Sequence, residues 1–493
     1  MKRIAIIVTV FTVVAATSLL LLASSASAVP SFSRKFGAEC SMCHTMWGAL
    51  NGAGVTFRLS GYRATNGKDL EPVEKNVELP PSNVVIPSSF PLSIITGVGY
   101  DAVKTKREAA DGTTTTRTGT SLALEDASIF LTGPLGEHLS AFAEFPMFET
   151  RNGEFLPTGP AEANDKKTGA IQFSSEKPTF EVAKFWWNNL LGEMAPRDSV
   201  NLLGGITQLP LGYASGKVRL SVNQYPIYER RALDLISPKR PDDFITDDMG
   251  LFRLSEAQVL FEVNGMVIPG KAVTDVGKKD TFWFEYHAGI TNGSEEKADN
   301  NNQKDLYGRF VMRWYRQSLG FFVYDSPDTY SNDIREAGQT AGVMSGRQSH
   351  NGATRIGIDA TLSLAAIDIP VWLENQYMTN KEDDPTGYGV AFKWQGGFDQ
   401  LNWQISKKEI VYARYDWIKG DSYDDTTKSV NNVPGITKSK PSETDYVVGG
   451  QYLVQQNVKL IAEYRHDEFK DTATTPNSKI TSDGYTVRCM IGF

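Results

Sequence analysis

The stretch "IVYARYDW", Ile410 to Trp417, alternates without a break: Val411, Ala413, Tyr415 and Trp417 share one parity, Tyr412, Arg414 and Asp416 the other. Successive side chains of a strand point to opposite faces, so one face is apolar and aromatic and the other carries charge. The pattern recurs. "GRFVMRWY" sets Phe310, Met312 and Trp314 against Arg309, Val311 and Arg313. "LIAEYRH" sets Leu460, Ala462 and Tyr464 against Ile461, Glu463 and Arg465. "VRCMIGF" sets Val487, Cys489, Ile491 and Phe493 against Arg488, Met490 and Gly492.

Working outward from these, sixteen segments read as strands, the first at 91–103 and the last at 483–493. Long polar connections (104–120, 149–177, 209–250, 326–351, 419–443, 467–482) follow odd-numbered strands, and most connections after even ones are short, such as 133–137 and 455–457. An even strand number with this alternation predicts an outer-membrane barrel, lipid outside and water inside. A soluble β-sandwich is the competing architecture, but its strands average about five or six residues and many segments here are longer. Two longer inner connections, 265–279 and 397–407, strain the count. Trp283, Tyr286, Trp314, Tyr315, Trp394, Trp403 and Trp417 are expected in the interfacial girdles.

The expected fold is therefore all-β, a 16-stranded antiparallel outer-membrane β-barrel over residues 91–493 behind a small N-terminal helical head. After residue 28 no run of 18 apolar residues occurs, so a spanning chain must close as a barrel. Residues 72–90 are proline-rich and read as an extended linker. Over 493 residues the formal net charge is −8, which speaks against a nucleic-acid partner.

Lys2 and Arg3 precede an apolar run from Ile4 to Leu22, followed by Ala26-Ser27-Ala28. This is a signal-peptide pattern over residues 1–28, with cleavage expected near Ala28 and the bacterial outer membrane as destination. An uncleaved inner-membrane anchor is the competing reading.

The head, residues 29–71, holds two of the three cysteines in "ECSMCHT". Cys40-Ser41-Met42-Cys43-His44 has the C-x-x-C-H spacing of covalent haem c attachment: two thiols for the two vinyl groups and an adjacent imidazole for the iron. A thioredoxin-like site wants a surrounding βαβ unit, and structural zinc wants a second ligand pair. A simple disulfide leaves His44 unexplained. Cys489 reads as a small apolar residue on the lipid face.

The second axial ligand is open, because Trp47 to Glu137 contains neither His nor Met. The iron is five-coordinate, or takes an amine (Lys68, Lys75 or the new N-terminus at Val29), or takes a lumen-facing side chain. His138, His287 and Met490 have the inward parity, while Met147 and Met312 face outward.

The segment "PSFSRKFGAECSMCHTMWGALNGAGVTFRLSGYR", Pro30 to Arg63, resembles the head of the fused outer-membrane monohaem cytochrome c–porins associated with extracellular Fe(II) oxidation. Pro30, Phe32, Arg34, Cys40, Cys43, His44, Gly54, Phe57, Gly61 and Tyr62 carry the likeness. Trp47-Gly48 departs from it, where family members often have a proline. The resemblance implies electron transfer through one haem c, from extracellular Fe(II) to a periplasmic c-type cytochrome, in a barrel surrounded by outer-membrane lipids.

Two rivals stand beside it: an anion-type porin with an accessory haem head, and the same conduit run outward to external acceptors. Arg309, Arg313, Arg414, Arg465 and Arg488, on the lumen parity, motivate the porin reading. The acidic pairs and triplet Asp242-Asp243, Asp247-Asp248, Glu382-Asp383-Asp384 and Asp424-Asp425 read as cation-collecting loops or as ordinary solvated ones.

Overall fold

A computed structural model of the chain describes residues 30–36, 39–46, 49–63, 76–79, 84–87, 92–108, 112–135, 138–148, 181–214, 219–236, 253–271, 275–276, 278–293, 303–331, 349–430, 433–434, 438–472 and 478–492. The signal segment 1–28, Trp47-Gly48, Val29, Lys68, Lys75, Asp242-Asp243, Asp247-Asp248 and Phe493 lie outside the described residues.

The head comprises α1 (Pro30–Phe36), a 3-10 turn (Cys40–Met42), the hairpin strands β1 (His44–Met46) and β2 (Ala49–Leu50), and α2 (Gly52–Leu59). The expected linker contains an antiparallel ribbon, β3 (Asn76–Leu79) with β4 (Val84–Pro87). The barrel begins with β5 (Leu92–Glu108), β6 (Thr114–Pro134), β7 (Leu139–Phe148), β8 (Val182–Trp187) and β9 (Asn201–Gln208). Two short helices follow, α3 (Pro226–Glu229) and α4 (Ala232–Ile236). The wall continues with β10 (Ala257–Val267), β11 (Phe282–Thr291), β12 (Asp305–Trp314), β13 (Gln317–Ser331) and β14 (Ser349–Ser363). Next come β15 (Val371–Glu382), β16 (Phe392–Ser406) and β17 (Glu409–Gly420). Four two-residue strands pair over the next connection: β18 (Tyr423–Asp424), β19 (Ser429–Val430), β20 (Val433–Pro434) and β21 (Lys438–Ser439). The last barrel strands are β22 (Pro441–Gln455), β23 (Val458–Asp471) and β24 (Ser478–Gly492).

The sheet order runs β10 to β17, then β22, β23 and β24, then β5 to β9, and β9 pairs with β10 to close a barrel of sixteen antiparallel strands. Each expected segment overlaps one of these strands. The boundaries differ where pairing carries a strand past its apolar stretch. β5 and β6 pair from Glu108↔Thr114 inward, so most of the expected loop 104–120 is strand. The doubtful connection 397–407 is the second half of β16, which turns at Lys407-Lys408.

Parity runs as the octapeptide indicates. On β17, Val411 is 39% exposed and Tyr415 is exposed, whereas Ile410, Tyr412, Arg414 and Asp416 are buried. Phe261, Leu306, Phe321, Ile356, Leu401, Trp403 and Val448 extend this exposed apolar belt round the wall. Such a surface is abnormal in water and ordinary in lipid, so the molecule is an outer-membrane β-barrel. The girdle expectation fails at two residues. Trp283 and Trp394 are buried on the lumen side, whereas Trp314 and Trp403 face out. Each buried indole lies beneath a lumen guanidinium, Arg313 over Trp283 and Arg355 over Trp394.

Segments enter the lumen from both ends. From the periplasmic end, where the short connections lie, the head enters. From the other end the connection after β9 folds inward, and its Leu211, Tyr213, Leu220, Tyr225, Ile227, Tyr228 and Leu235 are buried. Its described parts, residues 209–214 and 219–236, are called the strap below. Leu220 reaches the head, packing in one cluster with Met46 and Ala49 against Trp372, Ile410, Tyr412 and Val447.

Candidate cofactor-attachment site

The attachment motif is shaped by one 3-10 turn, in which Cys43 N donates to Cys40 O at 3.2 Å. Residues three apart eclipse in such a turn, so both thiols leave the chain on one side, and His44 follows directly at the start of β1. Neither cysteine is in a disulfide. Burial, then the neighbouring Cys40, raises the Cys43 thiol to about 11. Burial, then the charge of Lys459, lowers the His44 imidazole to about 4, so the ring is neutral at pH 7. Its Nδ1 is buried with no hydrogen-bond partner among the described residues. A buried polar atom left so is costly, and a neutral imidazole is the form that ligates metal. The donor set fits covalent haem c.

α2 holds the turn in place. Asn51 caps the helix by accepting from Gly54 N at 3.0 Å. The same side chain donates from Nδ2 to the carbonyls of Ser41 and Met42 at 3.2 and 3.0 Å, and Asn51 N donates to Cys43 O at 2.9 Å. Gly54 lies so close that a Cβ there would stand 2.1 Å from Cys43 O. Phe32, Phe57 and Tyr62 form the apolar centre, with ring centroids 5.0 to 5.7 Å apart. Gly61 turns the chain at φ +63°, a left-handed conformation suited to glycine.

The barrel grips the head on opposite sides. Tyr62 stacks on Phe142 of β7 and meets Trp186 of β8 edge-on. Ser31 N donates to Ser93 Oγ at 3.0 Å, and Ser60 Oγ donates to Asp198 Oδ2 at 3.1 Å. Arg63 donates to Ser140 Oγ at 3.1 Å and to Leu139 O at 2.8 Å. Across the lumen, Gln404 Nε2 donates to Thr45 O at 3.2 Å, and Cys40 Sγ lies 3.6 Å from Gln456 O.

The expected lumen ligands separate. His138 is exposed at the β6–β7 turn. His287 faces inward, but its Nδ1 bonds Glu262 at 2.8 Å and its Nε2 bonds Glu285 at 3.0 Å. Its strand β11 stands eight places from β23 in either direction round the barrel. Met490 also faces inward, in register with Lys459. Asn51 escaped the sequence reading, although a cap residue one position before an Ala/Gly-rich turn signals it.

The arginine row faces the lumen as expected, yet four of its members are neutralised. Arg309 makes two bonds to Asp359, at 2.7 and 2.8 Å. Arg313 bonds Glu285 at 2.8 Å and Arg414 bonds Asp416 at 2.7 Å. Arg465 pairs with Asp445 at 3.2 Å and with Asp467. Two of the acidic loop groups are tied into hydrogen bonds. Glu382 accepts from Arg355, Asn351 and Ala232 N, and Asp425 from Thr386 and Tyr423. Among the described residues no group of three or more metal-ligating side chains converges.

No family model matches the chain, and no curated protein is similar to it. Among solved structures it is similar to the anion-selective porin from Comamonas acidovorans at 11% identity, covering 82% of this chain and 99% of that one with a TM-score of 0.45. It is similar also to the outer membrane channel DcaP of Acinetobacter baumannii at 9% identity, covering 82% and 97% with a TM-score of 0.44. For Pseudomonas putida OprB the identity is 8%, the coverage 82% and 94%, and the TM-score 0.43.

Proposed function

We propose that this outer-membrane barrel is an electron-transfer protein carrying one haem c on Cys40 and Cys43, with His44 as an axial ligand. The observation that carries the reading is the head itself: two thiols on one side of a single turn, beside a half-buried imidazole whose Nδ1 is enclosed without a partner among the described residues. The haem would supply one-electron exchange. The chain's own residues hold and shelter it. Asn51 and Gly54 fix the turn, the Phe32–Phe57–Tyr62 cluster stiffens the head, and the barrel base covers it. Extracellular Fe(II) is the proposed donor and a periplasmic c-type cytochrome the proposed acceptor.

The lumen arginines favour a second reading, an anion-type porin with an accessory haem. Against it stand their carboxylate partners and the apolar cluster packed inside the barrel. The same conduit run outward is distinguished by which partner exchanges electrons with the protein.

The test is a pyridine haemochrome assay on the purified protein, followed by optical reduction with Fe(II) across pH. One haem c per chain, absent from a Cys40→Ala/Cys43→Ala variant, is expected. A chain without haem sinks the proposal, and haem that Fe(II) does not reduce removes the donor.

A further inference from the structure

The outward face of β15, β16 and β17 changes in chemistry along its height. Toward the periplasmic end it carries Leu373, Leu401 and Ala413, which are register neighbours. Higher up, Tyr377 and Trp417 stand with ring centroids 6.1 Å apart. Aromatic side chains of this kind mark the boundary between acyl chains and headgroups. The next outward row toward the long connections holds Gln395 opposite Lys419, and the row beyond it holds Lys381 opposite Lys393. The three lysines therefore stand at headgroup level on the outer side of the membrane.

Like charges placed directly opposite on a sheet repel. The same rim shows how this chain answers that elsewhere: Lys470 of β23 and Lys479 of β24 are also register partners, and both reach the carboxylate of Glu468 between them. In the β15–β17 sector Lys381 pairs with Asp383 at 2.5 Å. Lys393 and Lys419 are exposed and make no ion pair among the described residues, and Lys419 Nζ lies 5.9 Å from the centre of the Trp417 ring. The carboxylates of this face are placed to either side. Asp383 and Asp421 lie past the strand ends, and Asp399 sits one row below the aromatic pair, bonded by Asn375.

We infer that Lys393 and Lys419, with Lys381 beside them, bind the phosphate of a phosphorylated glycolipid in the outer leaflet. Cross-strand neighbours have Cβ atoms about 5 Å apart and diagonal ones about 7–8 Å, so ammonium groups on flexible four-carbon stems converge on one phosphate. The phosphate takes the place that Glu468 fills between the other lysine pair. The acyl chains lie along the apolar face below, past Tyr377 and Trp417. A free phosphate would meet the lysines but not that face, and continuity of the basic rows with the lipid belt favours the lipid. The site does not depend on the haem.

The experiment titrates the full-length protein in detergent with diphosphoryl lipid A and reads bound lipid by native mass spectrometry. The parent is expected to retain one lipid per chain. Lys393→Gln/Lys419→Gln is expected to weaken retention roughly ten- to thirty-fold. Lys407→Gln/Lys408→Gln, which removes two exposed lysines from the periplasmic β16–β17 turn, is expected to leave it unchanged. Lipid A stripped of its phosphates is expected to bind the parent as weakly as the diphosphoryl form binds the Lys393/Lys419 variant. Equal retention by parent and K393Q/K419Q, or of the two lipids by the parent, overturns the inference. Displacement by an equal concentration of inorganic phosphate overturns it in favour of a free anion. A change in chains per particle with lipid content unaltered overturns it in favour of a second copy on this face. Heat-modifiable gel mobility confirms that each variant has formed its barrel.

Discussion

Gly54 and Asn51 show how much of the attachment site depends on residues that touch no cofactor. A methyl group at Gly54 would meet the carbonyl of Cys43 at 2.1 Å, and that contact is backbone, which cannot rotate away. Gly54→Ala must therefore push α2 off the C-x-x-C-H turn. Overpacking of this kind costs about 1–3 kcal/mol, and the expected outcome is a clear fall in the haem-to-protein ratio of the purified chain. Asn51→Ala removes a helix cap worth about 1 kcal/mol and both bonds to the turn carbonyls, so it should lower the same ratio. A ratio unchanged in both variants would show that α2 does not shape the site. At this scale the sequence is legible where chemistry imposes spacing, as in Cys40, Cys43 and His44. It is silent where a residue matters through a contact formed in three dimensions. Asn51 reads as one more polar turn residue until its side chain is seen holding the attachment turn.

The strap is the element whose role the sequence least reveals. Read as a loop, 209–250 follows an odd strand and belongs outside. In the structure its Leu211, Tyr213, Leu220, Tyr225, Ile227 and Tyr228 are buried, because apolar side chains of this size gain more inside the barrel than in water. Strand periodicity gives no information on a segment that is neither strand nor long helix. The strap is tied to the wall chiefly through Glu463, which accepts from Ser221 Oγ at 2.8 Å, Val222 N at 3.0 Å, Asn223 N at 3.3 Å and Tyr412 Oη at 2.7 Å. Arg414 donates to the carbonyls of Asn223 and Gln224 and lies over the Tyr225 ring, while Arg230 pairs with Glu443. Glu463→Ala leaves these donors buried without an acceptor, a loss on the order of 3–5 kcal/mol for a broken buried charge network. The barrel itself, held by sixteen ladders, should survive. The expected result is a heat-modifiable barrel whose strap becomes open to limited proteolysis, with Glu463→Gln intermediate. Equal protease resistance in parent and E463A would mean that apolar packing alone holds the strap.

For the whole molecule, the fold follows from periodicity because a barrel repeats one simple rule along every strand, while the filling of its lumen does not. A sixteen-stranded wall encloses an aqueous channel, and what occupies it separates a porin from a closed conduit. Here the head enters from one end and the strap from the other, and they meet where Leu220 packs with Met46 and Ala49. Ions crossing this barrel would have to pass the apolar clusters that the head and the strap form inside it. The expected single-channel conductance in planar bilayers is therefore a small fraction of that of an open sixteen-stranded porin. Replacing residues 212–236 with a short Gly/Ser linker should raise it, because the strap occupies the middle and outer lumen while the head still covers the base. Large conductance in the parent would favour the anion-porin reading over electron transfer. Low conductance in both would mean that the head alone closes the barrel. A rise only on strap replacement would divide the work: the strap closes the lumen to ions, and the head presents its attachment turn to the periplasmic side.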